Sequence, residues 1–290
     1  MQAELLLDAK ATLGEGPAWD SKTQTLYWLD ILEKRIYSGT RILAQLDDLI
    51  GCLAPCRNGH LILGKRASIV DFQPFDFAQG GSDSSQQTVL AAVMESATNR
   101  FNDGKCDPAG RFIAGSMDMN ETDPNGALYS FDGKQVTPLF SGVTISNGLA
   151  WSADYKTFYY IDTPTREVKA FDYDLATGQI ANPRTAIYVP ESLGWADGMT
   201  SDTDGNLWIA IWGGAQVTKW NPHTGQLLEQ ILVPALHTSS CVFGGKEMNE
   251  LYVTSARVGM SEADLKKYPL SGGLFKVETK VTGMLTFEFG

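Results

Sequence analysis

Short apolar runs bounded by turn residues recur along the whole chain. Six of them begin at an aromatic or aliphatic anchor: Leu26 in LYWLD, Leu61 in LILG, Phe112 in FIAGS, Phe158 in FYYID, Leu207 in LWIAIW and Leu251 in LYVTS. Short runs rich in β-branched and aromatic residues read as strands. Four of the six follow sequences that reverse a chain, RNG (57–59), DPAG (107–110), SAD (152–154) and DTDG (202–205), so each closes a hairpin with the strand before it. Third strands are predicted in KRIYSG, ASIVDFQ, GALYSFDG, EVKAFDYD, QVTKWNP and GLFKVET, and fourth strands in TVLAAV, QVTPLF, RTAIYV and LLEQILV. Anchor spacing runs from 35 residues (Leu26 to Leu61) to 51 (Leu61 to Phe112), the period of four-stranded blades set around an axis.

The prediction is therefore an all-β fold, a six-bladed β-propeller whose four-stranded antiparallel blades surround a central channel, with residues 1–290 forming one domain. A closed ring must join its ends, and the early run AELLLD is expected to supply the outer strand of the last blade. The polar, Gly/Ser-rich stretch Asp76–Gln87 reads as a flexible insertion in blade two. No long helical periodicity is present, which argues against a bundle or a doubly wound sheet.

Counting back ten or eleven residues from the anchors reaches Glu15, Gly51, Asn102, Asn147, Asp197 and Ser240. Equivalent positions of a repeat occupy equivalent places in space, so these residues should form one ring. Taken singly, Glu15 in LGEGPAW is a polar turn residue, and the Asn-Gly and Asp-Gly pairs at Asn147 and Asp197 are hairpin-turn signals. Taken together, they bring two carboxylates and an amide oxygen to one register. Oxygen donors suit hard divalent cations such as Ca²⁺, Mg²⁺ or Mn²⁺, and three protein ligands leave positions open for chemistry. At the entrance of blade three, Arg100, Asn102 and Asp103 combine guanidinium, amide and carboxylate, a set suited to a polyhydroxylated ligand.

Composition narrows the function classes. A net charge of −11 disfavours nucleic acid and anionic membrane surfaces and suits cation binding. No apolar run approaches a membrane span, and the start of the chain lacks the pattern of a secretory signal, so a cytoplasmic protein is expected. Cys52, Cys56, Cys106 and Cys241 form no CxxC pair or zinc-like cluster and are expected to be reduced thiols. His60, His223 and His237 lack metal-ligand spacing, and no GxSxG elbow supports a serine hydrolase. Gly213–Gly214 lacks the strand-to-helix context of a dinucleotide fingerprint. Trp19, Trp151, Trp208 and Trp212 are expected in the core or pocket wall.

Over nearly its whole length the chain resembles the SMP-30/gluconolactonase/regucalcin family of sugar lactonases. The carriers are LGEGPAW around Glu15, RFNDGKCDPAGRFIAGSM from Arg100 to Met117, SNGLAWSAD around Asn147, ADGMTSDTDGNLWIA around Asp197 and TSSCVFGG from Thr238 to Gly245. The resemblance implies that Glu15, Asn147 and Asp197 hold one divalent cation, Ca²⁺ first, with Zn²⁺, Mg²⁺, Mn²⁺ or Fe²⁺ as alternatives. It also implies that Arg100, Asn102 and Asp103 hold a sugar lactone. Several relatives place a Glu after the AGxM strand; here Asn120 stands in its place with Glu121 next, so either residue is a candidate substrate contact.

The expected activity is hydrolysis of a gluconolactone- or xylonolactone-like aldonolactone, with Asp197 as general base and Asp103 the alternative. The expected partners are a small-molecule sugar lactone, with no nucleic acid and no membrane, and the protein is expected as a monomer or weak homo-oligomer. Two rival readings stay open: a non-catalytic calcium-binding propeller, and a related esterase of aryl or phosphotriester substrates, whose pocket should be more apolar.

Overall fold

The computed structural model describes residues 1–74, 86–93 and 95–290. Six four-stranded antiparallel sheets succeed one another along the chain. Their first strands are Gly14–Asp20, Ile50–Pro55, Asn99–Cys106, Ser146–Trp151, Trp195–Ser201 and His237–Gly244. Each packs against the first strand of the next blade, and the sixth packs against the first, so the ring closes. The closing device is the one the sequence suggested: Glu4–Leu7 pairs antiparallel with Leu274–Glu278 and becomes the outer strand of blade six. Linking the N-terminus to the C-terminal blade means that the ring cannot open at its seam without losing a strand's hydrogen bonds.

The core lies between blades. Alternate side chains of each sheet face its two neighbours, and the largest buried groups include Trp28, Trp208, Tyr160, Phe112 and Phe243. Trp19 and Trp151 are buried with them, whereas Trp212 is half-buried and stacks on His237 with ring centroids 4.3 Å apart. The four cysteines are free and buried. The Gly/Ser-rich insertion lies mostly outside the described residues; its last two positions, Gln86 and Gln87, belong instead to the fourth strand of blade two, Gln86–Ala92. Among the described residues the single α-helix is Glu262–Lys267, opened by a Ser261/Asp264 capping box, and no helix is long and apolar enough to cross a membrane.

One local reading changes. In every blade the pairing of the first two strands slips near the start of the inner strand, between Glu15 and Ala18, Ile50 and Cys52, Phe101 and Gly104, Asn147 and Leu149, Ala196 and Met199, and Thr238 and Ser240. Such bulges bend a strand and re-aim its side chains. In blade six the slipped residue is Ser239, and Ser240 pairs with Thr254 just beyond it. The Asn-Gly and Asp-Gly pairs sit inside these bulged strands and make no turn. Their glycines serve close approach: a Cβ at Gly148 would stand 2.6 Å from the Met199 Cβ and 2.8 Å from the Asp197 carbonyl oxygen, and one at Gly198 would stand 2.0 Å from the Ser240 hydroxyl. Gly148→Ala is therefore expected to destabilise the fold by about 1–3 kcal/mol and to push the inner strands of blades four and five apart. Denaturant unfolding with a van't Hoff fit checks the first effect.

The last residues cross the end of the channel remote from these bulges. Met284 donates its N–H to the Ser201 carbonyl, Phe289 to Pro55 and Gly290 to Gly110, so the tail ties blades five, two and three together. Met284–Phe287 line the tunnel from below.

Candidate functional site

The bulges gather the candidate residues at the N-terminal ends of the inner strands. Glu15, Arg100, Asp103, Asn147 and Asp197 are all buried, and Asn102 is half-buried. A chain of hydrogen bonds runs between blades through them. Arg100 Nη1 donates to Asn102 Oδ1 at 2.6 Å and to the Phe101 carbonyl at 3.0 Å. Asn102 Nδ2 donates to Asn147 Oδ1 at 2.9 Å and to the Ser146 carbonyl at 2.8 Å. Asn147 Nδ2 donates to the Thr163 hydroxyl at 2.8 Å, and that hydroxyl donates to the Ala196 carbonyl at 2.8 Å, next to Asp197. Because Ala196 takes the Thr163 proton, the Thr163 oxygen accepts from Asn147. This fixes the amide orientation and leaves Asn147 Oδ1 as the acceptor end.

Thr163, whose hydroxyl bridges Asn147 and the Ala196 carbonyl, belongs to this candidate site and is missed by strand counting. It lies in the short 3₁₀ turn Thr163–Thr165, outside the repeat register, and nothing in its local sequence distinguishes it from a turn threonine.

The carboxylates are held against their preference. Burial pushes the Glu15 carboxyl up to about 8, with nearby Asp103 adding to the rise, while the Gly16 N–H, Arg100 and Lys105 oppose it. Burial likewise raises Asp197 well above the usual carboxylate range, and the charges of Glu15 and Asp103 add to it. Glu15 Oε2 accepts one backbone hydrogen bond, from Gly16 at 3.0 Å. Asp103 Oδ1 accepts from Gly104 N–H at 2.7 Å, and its Oδ2 is buried without a partner. Among the described residues neither Glu15 nor Asp197 forms an ion pair.

Two buried carboxylates that repel each other, beside an amide oxygen locked as acceptor, are a donor set that fits a divalent cation. Among the described residues no three His, Cys, Asp or Glu side chains converge on one point, so the amide of Asn147 is needed to complete a set of three. Asp103 contributes field rather than a third convergent carboxylate.

Of the predicted substrate contacts, Arg100, Asn102 and Asp103 border this well. Asn120 is exposed, with its amide directed at Asp118 Oδ1 at 3.4 Å. The neighbouring Glu121, in a left-handed backbone conformation with φ 60°, adds its charge to the surroundings of Arg100 and Asp197.

Fold and site together define a six-bladed propeller with an acid-and-amide well at one end of its axis. Comparison with known proteins agrees over most of the length. The chain belongs to the SMP-30/gluconolactonase/LRE-like family, whose model matches residues 13–257. It is 38% identical to regucalcin of Danio rerio over 287 residues, spanning 96% of this chain and 94% of that protein. A solved luciferin-regenerating enzyme is similar with a TM-score of 0.87 and 32% identity, covering 97% of this chain and 96% of that one. The calcium-binding protein regucalcin from Agrobacterium tumefaciens is similar with a TM-score of 0.90 and 26% identity, covering 100% and 97%.

Proposed function

We propose that the protein is a divalent-metal-dependent sugar lactonase that opens a gluconolactone- or xylonolactone-like aldonolactone to its aldonic acid. The observation that carries this reading is the pairing of two buried carboxylates, Glu15 and Asp197, with an oriented amide oxygen and, among the described residues, no ion-pair partner of their own. Glu15, Asn147 and Asp197 would hold one divalent cation, Ca²⁺ first, which when bound supplies Lewis-acid polarisation of an ester carbonyl.

The chain's own groups account for the remaining steps. Arg100 and Asn102 orient ring hydroxyls, and the hydrogen bond from Asn102 to Asn147 couples that recognition to the ligand set. A carboxylate takes the proton from the attacking water as its oxygen bonds to the lactone carbon. The ring C–O bond then breaks, and the leaving oxygen takes a proton to become the free hydroxyl. Asp197 is the base we favour, with Asp103, whose Oδ2 accepts no hydrogen bond, as the alternative. The buried guanidinium and amide at the rim favour this substrate class over apolar aryl esters. The same reading places the protein in the cytoplasm, as a monomer or weak homo-oligomer.

The test is acid release from a panel of pentono- and hexonolactones. Hydrolysis well above the spontaneous rate is expected, lost on chelation and restored by Ca²⁺ or another divalent ion. A protein that binds Ca²⁺ yet leaves every lactone at its spontaneous rate would instead have the calcium-binding role named for the Agrobacterium relative.

A further inference from the structure

The axial tunnel holds one charged group that the proposed mechanism leaves without a task. Lys105 follows Asp103 by two residues on the inner strand of blade three, and the two side chains line the tunnel together. Its ammonium donates one hydrogen bond, to the Met199 carbonyl of blade five. An ammonium has three donors, and among the described residues Lys105 forms no ion pair. Burial alone works against its charge, and the fields of Asp103 and Glu15 support it. A half-buried lysine with no carboxylate on its ammonium is a poor structural element in such a place, because one carbonyl contact replaces little of the hydration it loses. The charge count of the well supplies a reason for it.

With the carboxyls ionised, as a bound cation would require, Glu15, Asp103 and Asp197 contribute −3 and Arg100 and Lys105 contribute +2, leaving −1; Glu121 is exposed, and solvent screens its charge. One divalent cation brings the sum to +1, and a single hydroxide or oxyanion then brings it to zero. Without the lysine the same cation meets −2, is held harder, and leaves no surplus positive charge to favour an anion in the well.

We propose that Lys105 is a fixed countercharge in the tunnel that weakens the hold of the well on its divalent cation and reserves net positive charge for the anionic intermediate, an inference that rests on the metal-dependent reading above. Lys105 touches neither ion nor substrate in this role; it is a positioning residue acting through the field.

The experiment is Mn²⁺ binding to the full chain, by competition with a chelator, for wild type, Lys105→Met and Lys105→Arg. Removal of this one positive charge is expected to tighten Mn²⁺ by about tenfold or more in Lys105→Met, with Lys105→Arg close to wild type. At saturating Mn²⁺, Lys105→Met should show a lower kcat with KM little changed, and its melting temperature should rise more on Mn²⁺ addition than that of wild type. Equal or weaker Mn²⁺ binding in Lys105→Met, or the same shift in Lys105→Arg, overturns the role of Lys105 while leaving the metal-dependent reading intact. Absence of Mn²⁺ binding by wild type overturns that reading itself. Should Lys105→Met fail to fold without metal, Lys105→Gln carries the same comparison.

Discussion

Asp197→Ala is expected to abolish lactone hydrolysis, with a fall of about a thousandfold or more in kcat/KM, because one side chain is asked to do two jobs. It supplies one of the two carboxylates of the ligand set, and it is the favoured acceptor of the water proton, a role worth about 10²–10⁴ by itself. Its backbone surroundings are held by blade pairing and by the Thr163 hydroxyl on the Ala196 carbonyl, so circular dichroism should show a folded variant. Removing a buried carboxylate relieves repulsion with Glu15, so the loss should be functional rather than structural. Steady-state assays with metal content measured alongside decide the matter. Asp197→Asn separates the two jobs: it keeps an oxygen donor but cannot take a proton. If Asp197→Asn binds metal and keeps activity within about tenfold of wild type, the base is Asp103; wild-type turnover in Asp197→Ala refutes the assigned role altogether.

The second large effect is a reversal of pH stability on removing divalent cations. Glu15 ionises in the unfolded chain near 4.5 and in the metal-free fold at about 8, raised by burial first and by Asp103 second. A group whose folded value is raised binds its proton more tightly in the native state, so its contribution is fully present below 4.5 and is lost as pH rises toward 8. Asp197 is shifted in the same direction. Chelated protein should therefore melt at least about 5 °C lower at pH 8.5 than at pH 5. A divalent cation should restore that loss, with its largest stabilisation at the alkaline end, where both carboxylates are already charged and the cation need displace no proton. Melting curves with and without chelator across this range provide the measurement. A chelated protein equally stable at both pH values would show that Glu15 and Asp197 are not forced together as described.

How much of this was legible beforehand depends on the range of the interaction concerned. The strands were readable because alternation and turn residues act over a few positions; even the closing strand followed from the need to seal a ring, as the Glu4–Leu7 pairing bears out. The fourth strand of blade two was placed, but its start at Gln86 was absorbed into the polar insertion because glutamines carry no strand signal of their own. Taken singly, the Asn-Gly and Asp-Gly pairs at 147–148 and 197–198 carry a turn signal that the fold does not use. Asn-Gly and Asp-Gly look alike whether glycine is needed for a left-handed backbone or for lack of a Cβ, and only the neighbouring blade shows which. Counting reached Glu15, Asn102, Asn147 and Asp197, which lie at the same ends of the inner strands, but it could not see the bulge that each of these strands carries there.

By itself, then, the amino-acid order determined the propeller, its six repeats and the residue types offered at the channel mouth, since all of these are written in local periodicity. Only the tertiary structure decided that Thr163 orients Asn147, that Glu15 and Asp197 are buried against their own ionisation, and that the Lys105 ammonium is turned to the Met199 carbonyl. Those facts depend on dehydration and on fields between strands far apart in the chain. Such quantities come into being only when the ring closes and water leaves the space between blades.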